Sequence, residues 1–212
     1  MMNVLALDAA SPRPAVALLS DGRVFEERLP EDRRASEDLL PAVRRALAAA
    51  NIGLAACARI AVCAGPGSFT GLRVGLATAW GLGRGLGILV EPVSTLEAMA
   101  ETARPNGPSR VVAVLEAGRG ELVCERFALD SDRARSLGPA TLVRAEDVAR
   151  FASGDRLVAL ASEVAGGEND PRTASVAAAL AAAVSRHPRP VSVASGAIYS
   201  RPSAAEEKRG AP

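Results

Sequence analysis

Apolar residues fall along this chain in short runs before they fall in helical stripes. Asn3 to Leu7 is an apolar run ending in an acid, Asp8, and reads as a buried strand. Ala15 to Leu19 and Val24 to Leu29 are further strand-like runs, joined by Asp21-Gly22. Asp-Gly between apolar runs predicts a tight hairpin, because both central residues of that turn need positive φ. The chain is thus expected to open with an antiparallel meander. Ser36 to Ala50 follows as a helix, with Leu39, Leu40, Val43 and Leu47 at helical spacing. Ser36 is expected to cap it, Glu37 and Asp38 favour the dipole of its first turn, and Pro41 sits early, where a missing N–H is tolerated. Arg59 to Ala64 is a buried strand, Thr70 to Gly85 a helix, Ile88 to Val90 a strand, and Ser94 to Glu101 a short capped helix. Strands followed by alternating helix and strand predict an α/β fold on the ribonuclease H-like or actin-like plan.

Arg104 to Pro108 is rich in Pro, Gly and Asn and reads as a linker. Beyond it, Val111 to Leu115 again ends in an acid, Glu116. A Gly-Arg-Gly turn at Gly118 to Gly120 and a strand from Glu121 to Phe127 follow, a weak repeat of the chain's opening. The expected division is an N-terminal subdomain over 1–103, a smaller C-terminal subdomain over 104–199 and a flexible tail over 200–212. The C-terminal part carries helical pieces near Ala145 to Phe151 and an alanine-rich helix from Thr173 to Ser185.

Composition narrows the classes. The 212 residues are 49% hydrophobic and 23% charged, ordinary for a globular protein large enough to bury a core without staples. A net charge of +1 supplies no bulk field for nucleic acid, so any RNA contact is local or made by a partner. Lys208 is the only lysine. The three cysteines, Cys57, Cys63 and Cys124, show no CxxC spacing and read as buried reduced thiols, which fits a cytosol. No leader is expected from Met1 to Asp8. Leu72 to Val90 is apolar, but Arg73, Arg84 and several glycines argue against a membrane span.

The most informative segment is Gly65-Pro66-Gly67-Ser68-Phe69-Thr70-Gly71-Leu72-Arg73. Pro66 and Gly67 suit the centre of a type II turn, and Ser68 or Thr70 suits the cap of the next helix. A strand, a glycine turn and a helix N-terminus together make a candidate anion site, here Asp8, Gly65, Gly67, Ser68 and Thr70. The alternative is a tight strand-to-helix connection and nothing more. The segment is neither a Walker A loop nor a dinucleotide fingerprint.

As a sequence, GPGSFTGLR resembles the signature of the TsaB (YeaZ) family, glycoprotease-like relatives of the TsaD transferase within the actin-like superfamily. Val4 to Leu19, Ser36 to Pro41, Val93 to Ala98 and Tyr199-Ser200-Arg201-Pro202 resemble other family segments. The resemblance implies a non-catalytic partner of TsaD, the subunit that forms threonylcarbamoyladenosine at position 37 of tRNA. It implies a TsaE-type ATPase in the larger complex, a homodimer when TsaD is absent, and tRNA reached only through the complex. It also implies a cytoplasmic protein with no required cofactor, with ATP or ADP left open. His187 is the only histidine, too few for a zinc site. The family's Asp-Thr-Ser loop reads Asp8-Ala9-Ala10-Ser11 here, its Asp-Ala-Arg appears as Glu116-Ala117-Gly118-Arg119, and Ala35 and Ser36 stand where a histidine is usual. These departures weaken nucleotide chemistry.

Each glycine inside the second helix costs about 0.5–1 kcal/mol against alanine. Close packing, within the chain or against another helix, must offset that. The family's first two long helices form a bundle with TsaD or with a second copy. Carried onto this chain, that makes Leu39, Val43, Leu47, Gly71, Gly75, Leu76 and Trp80 the candidate interface. Three alternatives compete: an actin-like phosphotransferase holding Mg²⁺ between Asp8 and Glu116, a ribonuclease H-like nuclease, and a peptidase.

Overall fold

The computed structural model describes residues 2–30, 35–104, 109–130, 132–159 and 175–190. Strands β1 (Val4–Asp8), β2 (Ala15–Ser20) and β3 (Arg23–Arg28) form the antiparallel meander, with Asp8 opposite Ala15 and Ser20 opposite Arg23. Asp21 and Gly22 turn the hairpin at φ 48° and 76°, the positive values that an Asp-Gly turn supplies. After helix α1 (Ala35–Ala49), β4 (Arg59–Cys63) lies parallel to β1. Helix α2 (Phe69–Leu86) crosses over to β5 (Leu89–Val93), parallel to β4, and α3 (Thr95–Glu101) follows. The sheet order is β3-β2-β1-β4-β5. Every residue of β1 and β2 is buried, as expected for strands covered on both faces. Pro92 sits in β5, the edge strand of this sheet among the described residues, where the N–H that proline lacks is not called on by a further strand.

A second sheet is built from β6 (Ser109–Gly118), β7 (Glu121–Leu129), β8 (Arg135–Ser136), β9 (Thr141–Arg144) and β10 (Arg156–Ala159). Its order is β10-β6-β7-β8, with β9 also paired to β7. Helix α4 (Val148–Ala152) covers its outer face, burying Val148 and Ala152 on Val112, Val114, Leu122 and Cys124. Helix α5 (Val176–Arg186) is capped by Ser175, whose hydroxyl accepts from the Ala178 N–H at 3.0 Å.

Helices α1 and α2 lie on one face of the first sheet, burying Leu39, Val43 and Leu76 against Leu5, Leu7, Val16 and Leu18. Helices α3 and α5 fill the space between the sheets, where Leu96, Met99, Leu180 and Val184 join Val4, Ala6, Val111 and Phe127 in one core. The layers run helices, sheet, helices, sheet, helix. Although α5 follows the second sheet in the chain, it packs on β1 and β2 of the first.

Several local expectations meet a different structure. Helix α1 begins at Ala35, so Ser36 lies inside its first turn rather than at the cap. Pro41 is therefore interior, and both it and Glu37, whose carbonyl loses a partner, are exposed to water. Helix α2 starts at Phe69, and Ser68 rather than Thr70 is its cap. The cysteines are free and buried. Among the described residues no helix is long and apolar enough to cross a membrane. Tyr199 to Pro202 and the tail over 200–212 lie outside the described residues.

Candidate functional site

The loop after β1 and the glycine loop before α2 form one clasp. The Asp8 side chain is fully buried. One carboxylate oxygen accepts from the Ala10 and Ser11 N–H groups at 3.0 Å each, and the other accepts from the Ser11 hydroxyl. Burial pushes the Asp8 carboxyl above its ordinary range, against the opposing pull of those hydrogen bonds. Burial also raises the neighbouring Cys63 thiol, with the Asp8 charge adding to it. So organised, the loop aims its carbonyls at α2. The Ser68 N–H donates to the Ala10 carbonyl at 2.9 Å. A Cβ on Gly67 would stand 2.3 Å from that carbonyl oxygen, and one on Gly71 would stand 1.8 Å from the Ala9 oxygen. Only glycine permits this approach.

The rest of the glycine loop is engaged in the same way. The Gly65 N–H donates to the Thr95 hydroxyl at 3.2 Å, and the Gly65 carbonyl accepts from the Thr95 N–H at 2.8 Å, which ties the loop to α3. The Ser68 hydroxyl accepts from the Gly71 N–H at 3.2 Å. The Gly65–Pro66 peptide is cis, and Gly67 stands at φ 154°. That is far from the value near +80° at the second position of a type II turn, so the expected turn is not formed. Of the candidate anion residues, Asp8 and Gly65 are buried, Gly67 and Ser68 are exposed but committed to the clasp, and Thr70 is exposed. Glu116 is exposed on β6, while Asp8 is sealed and satisfied, so the two acids do not form a metal cradle. Among the described residues no group of three His, Cys, Asp or Glu side chains is placed to hold a metal.

The candidate interface divides by burial. Leu39, Val43 and Leu76 are in the chain's own core, with Leu39 only 1% exposed, and are not available to a partner. Gly71 and Gly75 face the sheet, where a Cβ on Gly75 would make ordinary contact with Ala9 and Val62 at 3.5 and 3.6 Å. Gly83 is held by Val90 and Ile88, at 2.4 and 2.8 Å from its virtual Cβ. Leu47 and Trp80 are half-buried at the margin of that core. The outer face of α2 is a different set. Phe69, Arg73, Ala77, Gly81 and Gly85 recur every fourth residue, and all are exposed. The Arg73 guanidinium stacks on the Phe69 ring at 3.9 Å. A Cβ on Gly81 or Gly85 would meet nothing within 4 Å. Leu40, Arg44 and Ala48 make a matching exposed row on α1. Hydrophobic spacing favoured the buried face; the exposed row is recognisable only once the burial of each glycine is known.

A third feature escaped the sequence reading: an ionic seam between the sheets. Glu91, Glu97, Glu101 and Arg133 are all buried. Glu97 accepts from Arg133 Nε and Nη2 at 3.1 and 2.7 Å and from Arg189 Nη1 at 2.8 Å. Glu91 pairs with Arg133 and with Arg59, the latter at 3.3 Å. Glu101 pairs with Arg104 and Arg186 at 2.6 Å each. Burial opposes the Glu101 charge, but hydrogen bonds from Arg104 and the Ala134 N–H prevail and hold its carboxyl below the ordinary range. The available signal was Glu97 and Glu101, four apart in an otherwise apolar helix.

Two mixed sheets sharing a helical middle layer define an actin-like α/β protein. A family model described as TsaD, tRNA N6-adenosine threonylcarbamoyltransferase, matches residues 29–194. TsaB of Escherichia coli, a tRNA threonylcarbamoyladenosine biosynthesis protein, is 36% identical over 132 residues, 62% of this chain and 57% of that protein. The chain thus spans little more than half the length of that curated relative. An uncharacterized protein of Mycobacterium tuberculosis is 38% identical over 147 residues, 68% of this chain and 66% of its own. The solved structure of YeaZ from Pseudomonas aeruginosa superposes with a TM-score of 0.64 at 34% identity, covering 68% of each chain. A second Pseudomonas aeruginosa structure, described as similar to peptidase YeaZ, gives 0.67 at 33% identity over 75% of each. The chain belongs to the TsaB/YeaZ family within this TsaD-related group.

Proposed function

We infer that this chain is a non-catalytic, cytoplasmic subunit in the formation of threonylcarbamoyladenosine on tRNA, and that it binds a TsaD-type transferase through the outer faces of α1 and α2. The observation that carries the reading is the pair Gly81 and Gly85. Gly71, Gly75 and Gly83 answer to contacts inside the chain and Gly87 is the left-handed cap, whereas Gly81, inside the helix, and Gly85, in its last turn, are exposed and a Cβ on either would meet nothing within 4 Å among the described residues. Gly81 weakens the free helix by about 0.5–1 kcal/mol relative to alanine, and Gly85 adds to that in the last turn. Another helix laid along Ala77, Gly81 and Gly85 would offset that, because small residues let backbones approach closely. The Phe69–Arg73 stack sits at one end of the row as a rigid aromatic and cationic anchor, the residue types enriched at binding hot spots. A TsaD-type relative of this fold is the natural partner, and a second copy of the chain takes the same face when it is absent. A TsaE-type ATPase joins the larger assembly, and no cofactor of this chain is required. The sealed Asp8 clasp weighs against a phosphotransferase.

The test is to mix the chain with the TsaD-type transferase of the same organism and measure mass by size-exclusion chromatography with light scattering. A complex of one copy of each is expected. Two separate peaks at every concentration and salt would refute the assignment.

A further inference from the structure

The outer face of the second sheet carries a cleft of about 510 Å³ between β7, β9 and α4. That is within the size range of small-ligand sites. Leu142, Val143 and Phe151 supply its apolar lining. Arg126 lies over the Phe151 ring with its guanidinium 4.9 Å from the centroid, and it also donates to the Phe151 carbonyl. The ring contact and the carbonyl hold that arginine as a planar cationic surface, with Asp155 as an ion-pair neighbour 3.5 Å from an Nε that makes no hydrogen bond among the described residues. Arg144 and Arg150 stand at the rim with 74% and 85% of their side chains exposed. Two acids, Glu121 and Asp147, also line the cleft. The rim arginines reach carboxylates at 3.7 Å (Glu146) and 3.1 Å (Asp147), exposed pairs that contribute little and yield readily to a stronger anion.

An apolar lining, a fixed π-stacked guanidinium, rim cations and flanking acceptors match one kind of ligand. We propose that this cleft takes an unpaired nucleotide of an RNA strand. The base stacks on the Arg126–Phe151 surface, the 5′-phosphate sits between Arg144 and Arg150, and Glu121 and Asp147 accept hydrogen bonds from base amino or ribose hydroxyl groups. Bases splayed onto aromatic or guanidinium planes are the common mode of single-strand recognition. The cleft lies at the opposite end of the layered fold from α1 and α2, so a protein partner there leaves it open. The choice of RNA over a free nucleotide rests on the proposed role in tRNA modification; the stacking and charge arguments do not.

The test uses the full chain alone, with a fluorescein-labelled single-stranded RNA of about ten nucleotides followed by anisotropy at about 50 mM salt. Binding is expected to weaken about tenfold or more in the double variant Arg144→Ala, Arg150→Ala, with a shallower salt dependence. Phe151→Leu keeps the apolar lining, loses stacking, and is expected to weaken the single strand selectively. A duplex of equal length binding as tightly would overturn the base-stacking assignment. AMP binding as tightly as the strand would overturn the RNA source in favour of a free nucleotide. No binding by the wild-type chain, or binding indifferent to all three substitutions, would overturn the site. None of these results bears on transferase binding through α1 and α2, which is measured separately.

Discussion

Helices α2 and α3 each press against a sheet, α2 on the first and α3 on the second, and they are held there by opposite means. Helix α2 approaches by having nothing in the way: Gly71 admits the Ala9 carbonyl, and Gly83 admits Val90 and the Ile88 carbonyl. Helix α3 is buried along all of its length, yet it carries two glutamates that must bring their counter-ions with them. Glu97 draws Arg133 and Arg189 from 36 and 92 residues away, and Glu101 draws Arg186 from 85 residues away as well as Arg104 from the next turn. Close backbone approach tolerates almost no added volume, whereas a buried ionic seam tolerates almost no lost charge. The outer face of α2 is a third case, with two glycines, Gly81 and Gly85, whose added Cβ would meet nothing within 4 Å among the described residues.

The largest effect is expected at the seam. Glu97→Leu leaves Arg133, 4% exposed, with Glu91 as its remaining carboxylate. Breaking such a buried pair from one side costs about 3–5 kcal/mol, read as a drop in the urea midpoint. Adding Arg133→Met should recover part of that loss, because the buried charge is removed as well. Full additivity of the two substitutions would break the seam interpretation.

Gly71→Ala comes next. Its Cβ would stand 1.8 Å from the Ala9 oxygen, which belongs to backbone and cannot swing aside. A loss of about 1–3 kcal/mol is expected in the same assay, typical of overpacking. Gly81→Ala should do the reverse. With open space around it, the variant gains helix propensity of about 0.5–1 kcal/mol. Destabilisation by Gly81→Ala would mean that the outer row answers to a contact within the chain.

The subtlest contrast is in acid. Glu101 titrates below its ordinary range in the folded chain, so its contribution is present above the unfolded carboxyl pKa and is lost as pH falls through the folded value. Asp8 titrates above its ordinary range, so its contribution is present at low pH and is lost as pH rises from the unfolded value through the folded one. Comparing stability against pH for Glu101→Gln and Asp8→Asn should therefore remove slopes of opposite sign. Slopes of the same sign would contradict the two environments.

Much of the fold was legible because it is written locally. Asp21-Gly22 encodes its hairpin in adjacent residues, and the strand before Gly65 and the helix after Ser68 follow from runs and caps. The turn inside the glycine loop was not legible, because Gly67 answers to the Ala10 carbonyl across the clasp rather than to a turn type. Leu39, Val43 and Leu76 have helical spacing that marks a buried face, but spacing cannot say whether the cover is the chain's own sheet or a partner; here it is the sheet. The seam showed locally only as Glu97 and Glu101 four apart and Arg104 three beyond, since Glu91 and Glu97 find their arginines through the tertiary fold. The position of α5 on the first sheet, far from its neighbours in sequence, escaped for the same reason.

The central claim is that the exposed row on α2 is where the transferase docks. Calorimetric titration of the TsaD-type transferase into wild-type chain and into Gly81→Phe tests it most directly, because Gly81 is exposed and a Cβ there would meet nothing within 4 Å among the described residues. The account predicts that the variant keeps its wild-type unfolding midpoint within about 1 kcal/mol and loses about a hundredfold or more in affinity, while Arg150→Ala at the opposite end binds as wild type. Equal affinity of Gly81→Phe and wild type would contradict it.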